Sequence, residues 1–458
     1  MAVSVLDALA VRRADLVDWY VANRQRSRRL FDLLDPAVYY SRPISLRNPI
    51  VFYEGHLPAF SVIAFLRRAL GAPPVNQRLE DLFARGIDPE TEATAVPRSG
   101  ATTVWPRRDE VLAFGDAVDA AVVEALRAAD FDDTRPAMRR AEGVFTALEH
   151  EAMHQETLLY MWHRLPHDQK KKPRDLAYET GGAPPAYRAI SIPRGFATLG
   201  ANRERITFGW DNEFAETRVD VPAFEVDAHS VTNADFLAFV EAGGYQMREL
   251  WSEEGWTWRT AERVEHPIFW LPSTRSAGSG QDASEQEYMW RGMFEFIPLP
   301  PAWPAYVSQA EASAYARWKG RRLMTEAEFH RAAFGTPSGE ERDLPWGAGV
   351  DASRGNFDFA NWEPVPAGSR PAGASAWGVH DLIGNGWEWT STIFEPFSGF
   401  EPMTSYPEYS AEFFDGKHYV MKGASPATAK ELIRRSFRNW FRANYPYVYA
   451  KFRTAASI

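Results

Sequence analysis

The spacing of apolar residues divides the chain into a helical first part and an irregular second part. Apolar side chains recur at helical spacing among charged ones over about residues 5–34, 56–70 and 108–129. The same pattern runs from the start signal Thr134-Arg135-Pro136 to just before Pro166. Four long amphipathic helices of this kind predict an antiparallel bundle, in whose core facing helices can hold a metal ion.

The second part of the chain has a different character. Short apolar runs alternate with glycine, proline and asparagine, and we find only two clear helical patterns there, residues 233–242 and 308–320. This pattern predicts a loop-rich α+β domain. A lysine-rich and then glycine- and proline-rich stretch, residues 170–185, is typical of a solvated connection. We therefore expect an α plus α+β protein with domains over residues 1–178 and 179–458.

Composition narrows the possible functions. The chain has 458 residues with 51 basic and 61 acidic side chains, a net charge of −10, which argues against nucleic-acid or anionic-membrane partners and favours small-molecule substrates. With no cysteine, the chain has no disulfides, thiolate metal ligands or cysteine nucleophiles, and its metal ligands must be His, Asp or Glu. No secretory signal or apolar run of membrane-spanning length is apparent, so we expect a soluble, cytoplasmic protein.

The sequence His150-Glu151-Ala152-Met153-His154 lies within the fourth predicted helix. Two histidines at i and i+4 share one helix face, so both imidazoles can reach one ion. A third ligand must come from another element, and the best candidate is His56, because the preceding Gly55 permits a close approach. Three histidines would leave open coordination positions for substrate and oxygen. The alternative is that His150 and His154 are ordinary surface or core residues.

The same five residues also match the zinc-protease pattern, in which Glu151 would be the general base. The continuation argues against this interpretation. Thr157 and Tyr160 stand where the long form of the motif needs a glycine and a third histidine. The other form takes a glutamate ligand from a further helix, and Pro166 with the following lysine run intervenes. A three-histidine metal site is therefore the preferred hypothesis.

Several motifs together resemble a known enzyme family. Phe52-Tyr53-Glu54-Gly55-His56, with the histidine motif and its extension Gln155-Glu156, resembles the iron-binding bundle of the sulfoxide synthases of ergothioneine and ovothiol biosynthesis. The segments 322–329, 384–390 and 436–440 resemble signatures of the formylglycine-generating-enzyme fold, a variant of the C-type lectin fold. Formylglycine-generating activity itself is excluded, because that chemistry uses paired cysteines.

The resemblance implies a DinB-like four-helix bundle that supplies His56, His150 and His154 to Fe(II), and a lectin-like domain that completes the substrate pocket. The implied reaction uses O2 to join the imidazole carbon of hercynine, a trimethylated histidine betaine, to a chalcogen atom of a second substrate. The preference for iron rests on the resemblance, since imidazole ligands alone do not select iron over zinc.

The chain departs from this pattern at the positions expected to hold the second substrate. Asn439-Trp440 is followed by Phe441 and then by Tyr445, where relatives that use γ-glutamylcysteine have an aspartate and an arginine. A charged amino-acid head would find no ion partner there, and burying an unpaired charge is costly. Met153 stands where a glutamine usually contacts the imidazole substrate. We therefore expect a second substrate other than γ-glutamylcysteine.

Phe394 and Phe397 stand where the family usually has two tyrosines, so the resemblance leaves the proton donor unidentified. Taken together, the departures most resemble the selenoneine synthases, which join hercynine to a selenosugar. A sugar has stacking faces and no carboxylate, which suits Phe441 and Tyr445. We expect Trp440, Phe397 and Phe394 to surround the trimethylammonium group of hercynine by cation–π contact.

Two alternatives remain at this point. The first is an ergothioneine- or ovothiol-type synthase that forms a C–S bond with a thiol. The second belongs to another class, a non-catalytic lectin-like binding module. A module that only binds has no need of three convergent imidazoles, so the histidine triad favours an enzyme.

Overall fold

The computed structural model describes residues 9–84, 104–131, 134–273 and 288–458. They form two compact units. Unit 1 consists of the chain up to Arg174 and of two later segments, Asn202–Asp211 and Phe400–Ala411. Unit 2 contains Asp175–Ala201, Asn212–Gly399 and Glu412–Ile458. The two added segments of unit 1 lie beyond the predicted domain boundary at residue 178, and the sequence pattern does not single them out.

Unit 1 is a helical bundle, as predicted. Its helices are α1 (Arg13–Asp32), α2 (Ile50–Ser61), α3 (Gln77–Phe83), α4 (Arg108–Ala128) and α5 (Glu142–Arg164). Helix α2 continues directly into a π-helical stretch, Val62–Ala69. Every residue of α2 is buried, and α5 is buried along most of its length. These two helices therefore form the core of the bundle.

Two helix boundaries differ from the prediction. Helix α5 begins at Glu142 and not at Pro136, because Arg140 and Ala141 adopt left-handed backbone angles (φ 55° and 57°) that separate it from a preceding 3-10 turn. Helix α2 begins at Ile50, so His56 lies inside the helix and not at its start.

The early start of α2 corrects a second expectation. The continuous helical stretch Ile50–Ala69 has 20 residues and a mean hydropathy of 1.2, enough by length and composition to cross a membrane. However, 89% of its apolar window is buried inside the protein. The prediction that no run reaches this length is therefore wrong, and the burial is what the core helix of a bundle shows.

Unit 2 is loop-rich, and its regular structure consists of short strands and short helices. The described strands are β1 (Ala189–Ile192), β2 (Gly195–Leu199), β3 (Thr217–Val221), β4 (Phe224–Asp227), β5 (Trp270–Pro272), β6 (Tyr288–Arg291), β7 (Phe296–Pro298), β8 (Arg322–Leu323), β9 (Gly386–Ile393), β10 (His418–Ala424), β11 (Asn439–Arg442), β12 (Ala450–Lys451) and β13 (Thr454–Ser457). They form small sheets with the orders β1-β4-β13-β8, β11-β10-β9-β12, β2-β3 and β5-β6-β7. Strand β11 is therefore an edge strand.

The helices of unit 2 are α6 (Asn233–Glu241), α7 (Glu253–Ala261), α8 (Gln309–Trp318) and α9 (Glu326–Phe334). The sequence predicts α6 and α8, but the expectation of only two helices is wrong. Helix α6 is equally short, so length is not the reason. Gly255 is the buried residue of α7, and in α9 charged and apolar residues are buried together, so neither helix shows a clear apolar stripe. Their caps are the signal that was missed, because the side chains of Ser252 and Thr325 accept hydrogen bonds from the first turn of each helix.

A buried cluster of charged side chains stabilises the sheet that contains β11. Glu388 on β9 bonds Lys451 on β12 at 2.8 Å and Arg453 at 2.7 Å, and all three side chains are fully buried. Burial alone would raise the pKa of Glu388, but the charges of Arg453 and Lys451 outweigh it and lower the pKa to about 2. The pairing therefore keeps this carboxylate ionised inside unit 2.

Candidate metal centre

The structure brings together the three histidines that the sequence singles out. His56 comes from α2, and His150 and His154 lie one turn apart on α5. Each offers a ring nitrogen, and these donor atoms all lie within 4.8 Å of one another. The ring centroids are 4.4 to 5.1 Å apart. Among the described residues, this is the group of His, Asp and Glu side chains arranged to hold an ion.

Helix α3 orients the first histidine. His56 Nδ1 lies 2.7 Å from the carbonyl oxygen of Phe83. A carbonyl only accepts, so Nδ1 carries the proton and Nε2 keeps its lone pair for a metal. The ring of Phe83 lies directly against Gly55, where a Cβ atom would stand only 2.3 Å from it. Gly55 therefore permits a close approach, as the sequence suggests, and the approaching group is Phe83. This packing places the Phe83 carbonyl beside His56.

The chemical state of the histidines fits a metal ion. One buried ring nitrogen of each, His56 Nε2, His150 Nδ1 and His154 Nδ1, has no hydrogen-bond partner among the described residues. Burial lowers the pKa of His56 to about 4. It also lowers the pKa of His150 and His154 well below the usual value, and repulsion between the rings adds to the effect. At neutral pH the three imidazoles are therefore uncharged, and each can offer a nitrogen lone pair to a metal ion.

Aromatic rings fix two of these side chains. Phe60 stacks on His150 with 3.4 Å between ring centroids, and Phe52 stacks on His56 at 5.0 Å. His56 and His150 are buried, whereas His154 and its neighbour Met153 are half-buried. The site is therefore closed around His56 and His150 and opens on the side of His154.

Glu151, the second residue of the histidine motif, points elsewhere. Its carboxylate accepts hydrogen bonds from Arg24 Nη1 at 2.9 Å and Ser27 Oγ at 2.6 Å, both on α1. Glu151 thus joins two bundle helices, and it does not face the histidines as a protease base must. This placement argues against the zinc-protease interpretation.

The structure adds two tyrosines that the sequence analysis missed. The ring of Tyr406 lies 4.9 Å from Phe60 and 6.0 Å from His150. Tyr409 stacks on Trp210 at 4.0 Å, and its hydroxyl donates to the sulfur of Met153 at 3.4 Å. Met153 is thus placed at the rim of the metal centre by a phenol. The spacing of the two tyrosines carries no local signal that connects them to the bundle.

Most of the predicted substrate residues lie in unit 2, where β11 carries Asn439, Trp440 and Phe441. Trp440 stacks on the buried Phe394 at 4.1 Å, and Phe441 stacks on Tyr445 at 4.9 Å. Successive residues of a strand point to opposite faces. The Trp440 pair and the Phe441 pair are therefore on opposite faces of β11.

The two phenylalanines expected to surround a substrate cation already contact a cation of the protein. The guanidinium carbon of Arg438 lies 4.4 Å from the ring centroid of Phe397 and 4.9 Å from that of Phe394. Glu326 holds this arginine by bonds of 3.0 and 3.1 Å. Phe397 and Arg438 also line a cavity of about 260 Å³ in unit 2. Trp440 and Phe397 are both half-buried, so of the three predicted aromatic contacts Phe394 alone is fully enclosed.

Comparison with known proteins agrees with this architecture. Residues 178–458 match the sulfatase-modifying factor enzyme 1-like domain, and residues 20–158 match the DinB superfamily. A protein named hercynine oxygenase from Mycolicibacterium thermoresistibile is 31% identical over 97% of this chain and 95% of that protein. Its namesake from Mycolicibacterium smegmatis is 32% identical over 94% of this chain and 96% of that protein.

Ergothioneine biosynthesis protein 1 from Neurospora crassa is 28% identical over 96% of this chain, which spans 56% of that longer protein. The N-terminal DinB-like bundle and the C-terminal lectin-like domain predicted from the sequence are thus both confirmed. Because the similarity covers nearly the full length of both mycobacterial proteins, the chain belongs to the hercynine oxygenase family of ergothioneine biosynthesis enzymes.

Proposed function

We propose that this enzyme is an iron(II)- and O2-dependent synthase that joins the imidazole carbon of hercynine to the selenium of a selenosugar. The observation that carries the proposal is the cluster of neutral histidines, each of which has one buried ring nitrogen without a hydrogen-bond partner among the described residues. His56, His150 and His154 would hold the ion. A bound iron(II) would supply the one-electron chemistry needed to use O2. The word oxygenase in the names of two relatives supports a metal that uses O2, whereas imidazole donors alone would also suit zinc; the choice of iron rests on the resemblance of the motifs.

The chain's own residues prepare this site for chemistry. The Phe83 carbonyl fixes the tautomer of His56, and Phe60 fixes the ring plane of His150. Pre-oriented ligands of this kind raise metal affinity, because less freedom is lost on binding. The aromatic rings of Phe52 and Phe60 enclose the side of the site formed by His56 and His150, so ligands would reach a bound ion from the side of His154.

Recognition of hercynine is assigned to the half-buried indole of Trp440. Asn439 Oδ1 accepts a hydrogen bond from the backbone N–H of Trp440 at 2.9 Å, which steadies this edge of the sheet. An aromatic face binds a quaternary ammonium group with about 0.5–2 kcal/mol per favourable ring. We therefore expect hercynine to be preferred over histidine, whose primary ammonium is more strongly hydrated.

The choice of a neutral co-substrate rests on the stack of Phe441 and Tyr445, whose rings are 15° from parallel. Neither side chain offers a charge to the carboxylate or ammonium of an amino acid. A sugar can stack on such rings and needs no ion partner. These residues therefore favour a selenosugar over γ-glutamylcysteine. Because the stack lies on the opposite face of β11 from Trp440, the two side-chain groups do not form one pocket, and the experiment below tests each assignment separately.

A second candidate is an ergothioneine-type synthase that forms a C–S bond with a thiol. It is favoured by the names of the relatives, which cover nearly the whole chain. In either reaction the imidazole C–H hydrogen and the thiol S–H or selenol Se–H hydrogen leave as water with one oxygen atom of O2. The second oxygen atom remains on the sulfur or the selenium, so O2 is the only oxidant required.

The test is a co-substrate competition. The enzyme is loaded anaerobically with Fe(II) and hercynine, then exposed to O2 with a selenosugar, γ-glutamylcysteine or other thiols, and the products are identified by mass spectrometry. We expect a selenium adduct of hercynine, and far less product when histidine replaces hercynine. Turnover of γ-glutamylcysteine equal to or faster than that of the selenosugar would establish the second candidate instead.

A further inference from the structure

Unit 2 contains a further pair of neighbouring histidines. His229 follows the end of β4, and His380 lies in the loop that leads to β9. Their ring centroids are 4.6 Å apart, with 21° between the ring planes. The backbone N–H of His380 donates to the carbonyl of Ala228 at 2.8 Å. The buried guanidinium of Arg453 donates to the carbonyls of Ala228 at 3.4 Å and His380 at 2.9 Å. Backbone bonds therefore fix the two segments that carry the rings.

The chemical state of the two rings suits a ligand. Nδ1 of His380 is buried and has no hydrogen-bond partner in the part of the chain that the structure describes. Buried polar atoms of native proteins are normally paired, so this nitrogen requires an explanation. Burial lowers the pKa of His229 to about 4 and also lowers the pKa of His380. Both imidazoles are therefore uncharged at neutral pH, and each has one nitrogen with a free lone pair.

Gly368 leaves a space that nitrogen atoms of both rings border. A Cβ atom on this residue would lie 2.8 Å from Nε2 of His229 and 4.0 Å from Nδ1 of His380. Apart from the chain neighbours of Gly368, no third described residue has an atom closer to this point. The backbone of Gly368 has a φ of +76°, which favours glycine and so keeps a side chain out of the space. Its N–H donates to the carboxylate of Asp381 at 2.6 Å, which places a negative charge beside it.

We propose that His229 and His380 form a binding site for a divalent transition-metal ion such as Zn(II), with water completing its coordination. Imidazole is a common ligand of zinc, nickel and copper ions. Because the rings are carried by fixed segments, little freedom is lost when an ion binds. The carboxylate of Asp381 offsets part of the charge of the ion. The guanidinium groups of Arg188 and Arg453 oppose it, although backbone carbonyls engage both.

This site is independent of the proposed function, because it lies within unit 2 and shares no residue with the metal centre of unit 1. It offers two protein ligands where that centre offers three. We therefore expect the ion of unit 2 to bind more weakly than the ion of unit 1.

The experiment is a Zn(II) titration of the metal-free protein, followed by competition with a chromophoric chelator. Wild type should bind two zinc ions per chain, one tightly and one more weakly. His229→Gln and His380→Gln should each bind one ion, with circular dichroism as the check on folding. The matched control is His266→Gln, which removes another half-buried histidine of unit 2 and should still bind two ions.

The double variant His150→Ala/His154→Ala isolates the weaker site. It should keep one zinc ion, and zinc should raise its melting temperature, because an ion that binds only the folded state stabilises that state. Adding His229→Gln to this variant should abolish both effects.

The outcomes separate this inference from the proposed function. A wild type that binds a single zinc ion, which the double variant loses, overturns the inference and leaves the metal centre of unit 1 intact. A second zinc ion that persists in both His229→Gln and His380→Gln also overturns it. A single ion that the double variant keeps and His229→Gln loses would support this site and contradict the proposed function. A wild type that binds no zinc contradicts both.

Discussion

Replacing Gly55 with alanine tests how α3 controls the metal centre. The new Cβ would lie 2.3, 2.4 and 2.5 Å from three atoms of the Phe83 ring, far inside van der Waals contact. The ring must therefore move by about 1 Å to restore an ordinary contact. Phe83 is fully buried and cannot turn into solvent, so its backbone is expected to move with it.

The consequence for His56 follows from the short bond that it makes. Its Nδ1 is 2.7 Å from the Phe83 carbonyl, and a shift of about 1 Å removes this hydrogen bond. Loss of a partner that orients a metal-binding histidine typically costs about 10- to 100-fold in metal affinity. Overpacking of a core typically costs about 1–3 kcal/mol of stability. We expect Gly55→Ala to show both effects.

Metal affinity is measured by competition with a chromophoric chelator, and stability by thermal unfolding followed by circular dichroism. Gly115→Ala in α4 is the matched control, because its nearest atom would be 3.5 Å away, an ordinary contact. It should keep wild-type metal affinity and gain slightly in stability, as alanine favours a helix. The double variant Gly55→Ala/Phe83→Leu should regain part of the affinity. A Gly55→Ala protein with wild-type affinity and stability would refute the reasoning.

Three other predictions follow from the structure. His150→Ala and His154→Ala should each lose bound metal while circular dichroism shows an intact bundle. Full metal retention in both variants would contradict the proposed metal site. Unfolding by urea should become easier as the pH falls from about 4.5 to 2, because the lowered pKa of Glu388 stabilises the fold only while its carboxylate is ionised. The free energy of unfolding of Glu388→Gln should fall by about 3–5 kcal/mol at pH 7, since the substitution leaves two buried cations unpaired. This variant should lose less stability than wild type when the pH is lowered. An acid response equal to that of wild type would contradict the role of Glu388. Phe441→Asp with Tyr445→Arg should weaken use of the selenosugar in a product assay and allow some use of γ-glutamylcysteine, whereas an unaffected preference would show that this stack does not select the co-substrate.

Local sequence pattern was enough to predict the bundle and to bring two candidate metal-binding side chains onto one helix face. A helix repeats every 3.6 residues, so His150 and His154 had to share a face once the helix was recognised. The absence of cysteine and the motifs of unit 2 restricted the chemistry in the same direct way. Helices α7 and α9 were missed, because neither carries a clear apolar stripe and their capping residues are the signal that marks them.

Contacts between distant residues were decided only by the tertiary structure. The carbonyl that orients His56 belongs to Phe83, 27 positions later, and Tyr409 reaches Met153 across 256 positions. Arg438 contacts the phenylalanines that the sequence suggested for a substrate cation. Composition and periodicity describe which face of an element is apolar, but they do not say which element covers that face. The candidate metal ligands therefore followed from the sequence, while residues that orient them, such as Phe83, required the folded chain.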